Sequence, residues 1–212
     1  MTTLAAPGSR ADALRQARRL NRVTITWNIA EAVAALAAGF AAGSIGLLAF
    51  GADSLVEVSA ALVLAWRLHR ERVEGCTQPD DKRATRAIAI SLYALAAVVA
   101  VQALVDLAQT DRPEASPVGV VIAALSLVCM PVLARAKRRL APALGSRAVV
   151  ADADQTNLCA LLSAVLLIGL VANAAFEWWW ADPVAALGIA VLAGVQGYRI
   201  WRAESLADTC CD

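Results

Sequence analysis

Asp53 and Glu57 stand four residues apart inside an otherwise apolar stretch, Ile45 to Trp66, that is long enough to cross a bilayer. An ionised carboxylate near the bilayer centre costs roughly 2.5 to 3.5 kcal/mol even on the mildest insertion scale, so a pair there calls for a compensating partner. A cation is the simplest one. At about 100° per residue the two side chains differ by roughly 40° and share one helix face. On a later apolar stretch Asp152, Gln155 and Cys159 fall within roughly 60° of one another, whereas Asp154 points well over 90° away. Two helices therefore each carry a stripe of candidate ligands.

Depth is a second test. At about 1.5 Å per residue from the Arg-rich ends, Glu57 lies roughly 13 Å deep, Asp53 roughly 19 Å, Gln155 roughly 9 Å and Cys159 roughly 15 Å. Antiparallel helices let these four meet near the midplane. On the first apolar stretch, Glu31 reaches roughly 12 Å and Asn28 roughly 8 Å, deep enough to support the site or to form an access path. Interior carboxylates in a chain are what a cation pathway needs.

The elements that must position these groups are membrane spans. Apolar residues make up 59% of the 212, mean hydropathy is +0.61, and they come in runs, not at an amphipathic period. Six runs approach the length needed to span: Val23–Gly43, Ile45–Trp66, Ala87–Ala108, Val118–Ala134, Ala148–Phe176 and Pro183–Tyr198. The expected fold is all-α, a six-span bundle. It divides the chain into a basic N-terminal segment (1–22), a transmembrane domain (23–198) and a short tail (199–212).

With six spans, every Lys and Arg except Arg112 falls on one side, in the groups Arg10–Arg22, Arg67–Arg86, Arg135–Arg147 and Arg199–Arg202. The positive-inside rule then places both termini in the cytoplasm. The five arginines of Arg10–Arg22 predict a short helix lying on anionic lipid. A net charge of only +1 argues against nucleic acid as a partner. The opposite side has a tight Gly43-Ser44 turn, the loop Gln109–Pro117 and Trp178-Trp179-Trp180, read as an aromatic belt with a cation-binding box as the sharper alternative.

Other residues carry plainer expectations. Asp182-Pro183 reads as an N-cap followed by proline at the first helical position. Asp106, near the outer end of its span, is expected to be solvated, and His69, in a basic loop, is not expected to be a ligand. Cys76, Cys129, Cys159, Cys210 and Cys211 fall in cytoplasmic or membrane positions and are expected to stay reduced, Cys129 as a packing residue and Cys210-Cys211 in an untethered tail. No cleavable signal peptide is expected before the first apolar run. No nucleophile-base pair or catalytic zinc signature appears, so an enzyme is not expected. The Ala- and Arg-rich composition suggests a GC-rich bacterial genome and hence the inner membrane.

Gly43 to Glu57, Gly-Ser followed by small and apolar residues and then two carboxylates four apart, resembles the second transmembrane helix of the cation diffusion facilitator family. Ala151 to Cys159 resembles its fifth helix, and Trp180-Ala181-Asp182-Pro183 the start of its sixth. The resemblance implies a six-helix bundle that exports a divalent transition metal, such as zinc or cadmium, in exchange for protons, with no prosthetic group. It places Asp53, Glu57, Gln155 and Cys159 at the four ligand positions. Gln155 stands where the family usually has His, and Cys159 where it usually has Asp. An amide offers no titratable proton, and a thiolate favours soft metals. The chain resembles a short branch lacking the family's cytoplasmic domain, so a homodimer would form through the spans. The remaining alternatives are a membrane protein that binds metal or regulates a partner without transport, and carboxylates that merely fasten helices together.

Overall fold

The computed structural model describes residues 10–74, 79–109, 114–144 and 147–205. Cys76, Arg112, Cys210 and Cys211 lie outside the described residues. Six helices follow in order: α1 (Arg10–Ala42), α2 (Ile45–Glu74), α3 (Pro79–Gln109), α4 (Pro117–Leu144), α5 (Arg147–Phe176) and α6 (Ala181–Ser205). Each is long and apolar enough to cross a membrane.

All six expected spans are found, but the helices run past the apolar stretches that revealed them. Hydrophobicity marks where lipid is, whereas backbone hydrogen bonding continues into water. α4 reaches Leu144 instead of stopping near Ala134, and α1 starts at Arg10. The basic segment expected to lie apart on the lipid surface is thus the first turns of α1. Ala13 and Ala17, one helical turn apart, let it pack closely on Leu64, Leu140, Leu144 and Val149, while Arg15 and Arg19 stay exposed.

The most extensive pairings are α4 with α5, α1 with α2, and α3 with α6. α1 also packs on α4 and α5 on α6, and α2 touches α1, α3, α5 and α6. The helix carrying Asp53 and Glu57 is therefore central. Its Leu47 and Phe50 join Met130 of α4, Leu162 and Leu166 of α5 and Ile189 of α6 in the main apolar core. Glycines permit close crossings: a Cβ on Gly51 would stand 2.8 Å from Leu36 Cγ, and one on Gly169 2.6 Å from Ala185 Cβ. Polarity is arranged inside out, with Asn28, Glu31, Asp53, Glu57 and Lys137 buried while Phe40 and Ile168 face outward.

The turns are chemically specified. Gly43 takes φ 63°, and the Ser44 N–H donates to the Gly39 carbonyl at 3.0 Å, closing α1 with a Schellman-type bond. Ser44 then caps α2, its hydroxyl accepting from the Leu47 N–H at 3.1 Å. Ser116 caps α4 in the same way through Gly119, with Pro117 at the first helical position. Trp178 and Trp180 stack with ring centroids 5.2 Å apart and are exposed, as a belt at a membrane interface requires.

Two carboxylates at the Trp-rich end differ from expectation. α6 begins at Ala181, so Asp182 lies in its first turn and does not cap it. Its carboxylate instead accepts from the Ser44 hydroxyl (2.6 Å) and the Gly46 N–H (3.2 Å), serving the N-terminus of α2. The approach depends on Gly46, where a Cβ would stand 2.9 Å from Asp182 Oδ1. Asp106 is buried, not solvated. Gln102 donates to it at 2.8 Å, and it lines a groove of about 760 Å³ with Gly39, Phe40, Gly43 and Ala52.

Candidate cation site

α1, α2, α4 and α5 converge on a polar interior at mid-height. Glu31 comes from α1, Asp53, Ser54 and Glu57 from α2, Ser126 from α4, and Cys159 from α5, all buried. Their spacing follows helix geometry. Asn28 and Glu31, three apart, share one face of α1, and Asp53 and Glu57, four apart, share one face of α2.

Glu31 is the link between the helices. Its Oε2 lies 3.0 Å from the Ser54 hydroxyl and 4.0 Å from Cys159 Sγ. The Ser54 hydroxyl is also 3.0 Å from the Phe50 carbonyl and can donate to either acceptor. The three carboxylates lie within electrostatic reach of one another, Asp53 facing both Glu57 and Glu31, and the Cys159 thiol lies within reach of all three. Concentrating three acids and a thiol inside a membrane protein is costly unless positive charge or protons offset them.

The buried polar atoms here are unusually short of partners. Among the described residues neither Glu57 oxygen has a hydrogen bond, nor does Glu31 Oε1 or either side-chain atom of Asn28. The Ser126 hydroxyl and the Trp27 indole N–H border Glu31, and the Thr156 hydroxyl and the Cys159 thiol border Glu57, but none of these pairs reaches normal hydrogen-bond geometry. Buried polar atoms in proteins are almost always satisfied, so exceptions clustered at one place mark chemistry and not packing. The donor set is carboxylate and amide oxygens with one sulfur, suited to a divalent transition metal held largely by oxygen. Among the described residues, no three His, Cys, Asp or Glu side chains close on a single point tightly enough to hold an ion. The candidate ligands are gathered, and closing them around a metal would require side-chain or helix movement.

The α5 candidates separate. Cys159 is inside the cluster and Asp152 is buried nearby, whereas Gln155 is half-buried and no hydrogen bond among the described residues joins it to the carboxylates. Thr156, fully buried, takes the inner face between Asp152 and Cys159. Asp154 is exposed and pairs with Arg138.

One interior group is absent from the sequence reading. Lys137 of α4 is 3% exposed, and its Nζ lies 2.7 Å from Asp152 Oδ2 and donates to the Thr156 hydroxyl at 3.0 Å. By charge pattern alone it belongs with the arginines of the basic loop. A signal was present: Ala123, Ser126, Met130, Ala134, Lys137, Ala141 and Leu144 recur at steps of three or four and form the buried stripe of α4.

Residues 85–206, spanning α3 to α6 and more than half of the chain, match the cation efflux transmembrane domain, and the chain belongs to that family. It is a transporter-family domain embedded as an all-α helix bundle in the membrane. No curated protein matches the chain. The matched region contains Lys137, Asp152 and Cys159, while α1 and α2, with Glu31, Asp53 and Glu57, precede it.

Proposed function

We propose that this protein exports a divalent transition metal, zinc or cadmium in preference to magnesium, in exchange for protons, with Asp53, Glu57 and Cys159 as ligands and Glu31 as a further carboxylate. The observation that most supports this is Glu57: a buried carboxylate whose oxygens have no hydrogen-bond partner among the described residues, beside two other acids, in a cation-efflux chain. Cys159 supplies the soft donor that favours zinc and cadmium. Asn28, at the Arg-rich end of the cluster, lies on the approach from the cytoplasm if the arginines face inward. The carboxylates can accept protons when metal leaves, a role that Gln155 lacks the chemistry for. In this reading 1–22 and 199–212 are cytoplasmic and the host membrane is a bacterial inner membrane.

A second reading, metal binding without transport, draws support from the open arrangement of the ligands and from Gln155 in place of the usual His. The two separate cleanly when the purified chain, alone in sealed liposomes with a proton gradient, is given zinc or cadmium and internal metal is followed with a fluorescent chelator. Gradient-driven flux above empty liposomes is expected. Metal binding to the same preparation with no flux overturns the transport reading in favour of the second.

A further inference from the structure

The cytoplasmic approach to Glu57 is not empty of charge. α4 and α5, the most closely associated helices, bury an ammonium between them: Lys137 Nζ rests on Asp152 and on the Thr156 hydroxyl, which itself donates to the Asp152 carbonyl at 2.9 Å. Lys137 and Asp152 are 3% and 9% exposed. This is unlike the Arg138–Asp154 pair one residue further along α4, where both side chains are more than half exposed. Lys137, Asp152 and Thr156 all neighbour Glu57, so the ammonium has two acids within its range. One is paired with it, and the other has no hydrogen-bond partner among the described residues.

From this juxtaposition we infer that Lys137 is a tethered cation that competes with the metal for Glu57, and that Asp152 with Thr156 is the parking place that holds it away while metal binds. The chemistry is simple exchange. No bond is made or broken, and a lysine ammonium on four rotatable carbons is a mobile point charge suited to moving between two carboxylates. When metal occupies the acids, the ammonium stays on Asp152. When metal leaves, it turns toward Glu57 and is shared between the two acids, so that neither is left wholly without a counter-charge. Lys137 is thus a positioning residue that sets metal affinity through Glu57, and the inference rests on Glu57 being a ligand.

The two halves of the device predict opposite signs. Asp152→Asn removes the parking place, sends the ammonium to Glu57, and should weaken zinc binding to the purified full chain by about tenfold or more in calorimetry. Lys137→Met removes the competitor and should tighten it by a similar factor, while Lys137→Arg should stay near the parent. The decisive variant combines Lys137→Met with Asp152→Asn. Recovery of at least parental affinity supports competition, whereas affinity as low as that of Asp152→Asn alone shows that Asp152 is itself a ligand and overturns it. Unchanged affinity in both single variants, with lowered thermal stability, means that the pair is only a fastener and also overturns it. Should Lys137→Met fail to fold, Asp152→Asn and the double variant still decide. Glu57→Gln run alongside isolates the underlying reading: if it binds zinc like the parent, Glu57 is not a ligand, whatever Lys137 does.

Discussion

Asp182 and Glu57 are both buried carboxylates of the same bundle, and they are treated in opposite ways. Asp182 sits at the Trp-rich end with its oxygens engaged by the Ser44 hydroxyl and the Gly46 N–H, so its negative charge meets the positive end of the α2 helix dipole. Glu57, further down the same helix, has no hydrogen bond to either oxygen among the described residues, and other acids stand within reach. A carboxylate whose hydrogen bonds are complete fastens helices. One left without a hydrogen bond, among several acids and the Lys137 ammonium, is open to a cation from outside the protein. Burial alone does not distinguish the two, but the inventory of partners does.

The largest effect should come from Glu57→Gln, which keeps the shape and removes the charge. Losing one anion from a desolvated cation site is worth about 3 to 5 kcal/mol, so zinc affinity should fall by at least about a hundredfold in calorimetry. The variant should melt no lower than the parent, because a costly buried charge has gone. Equal metal affinity would erase the contrast with Asp182. Next, Asp182→Ala should destabilise the bundle by about 2 kcal/mol, through two lost hydrogen bonds to a charged acceptor, while the folded fraction keeps parental zinc affinity. A stable variant with altered metal binding would show that Asp182 is more than a fastener. The smallest change is expected for Cys159→Ser, which should reduce cadmium affinity more than zinc affinity by exchanging a soft donor for a hard one. An unchanged cadmium-to-zinc ratio would place the thiol outside the ligand set.

Much of the architecture was legible because a membrane simplifies the code. Apolar runs revealed six helices, and the spacing of Asp53 and Glu57 put them on one face, which is buried. Angular reasoning was less sharp on α5. Relative to Asp152, Cys159 lies at roughly −20°, Thr156 at roughly +40° and Gln155 at roughly −60°, so a small rotation of the helix decides which neighbour turns inward. The structure turns Thr156 inward and leaves Gln155 at the edge. Lys137 was hidden by a rule that works on averages. Charge asymmetry counts basic residues by side, and a lysine drawn between two helices contributes to the count like any other. Asp182 and Asp106 differ from expectation for other reasons: the partners of Asp182 lie on another element, at Ser44 more than a hundred residues away, whereas Asp106 is met by Gln102 of its own helix and is buried by tertiary packing that local sequence does not show.

The bond between Asp182 and the start of α2 also has a mechanical meaning. It ties α2 to α6, and α6 pairs with α3, so one end of α2 is anchored to a two-helix block while Asp53 and Glu57 lie further along its length. α1 packs along α2 and bonds to it, so the two would lean together about that end. Glu57 is about 16 Å from Gly46 along the axis, so a tilt of about 10° around that pin sweeps its carboxylate through about 3 Å, more than the length of a metal–oxygen bond, while Ser44 hardly moves. If Glu57 is a ligand as proposed, the pin would turn a slight lean of one helix into a shift about as large as a coordination bond midway along α2.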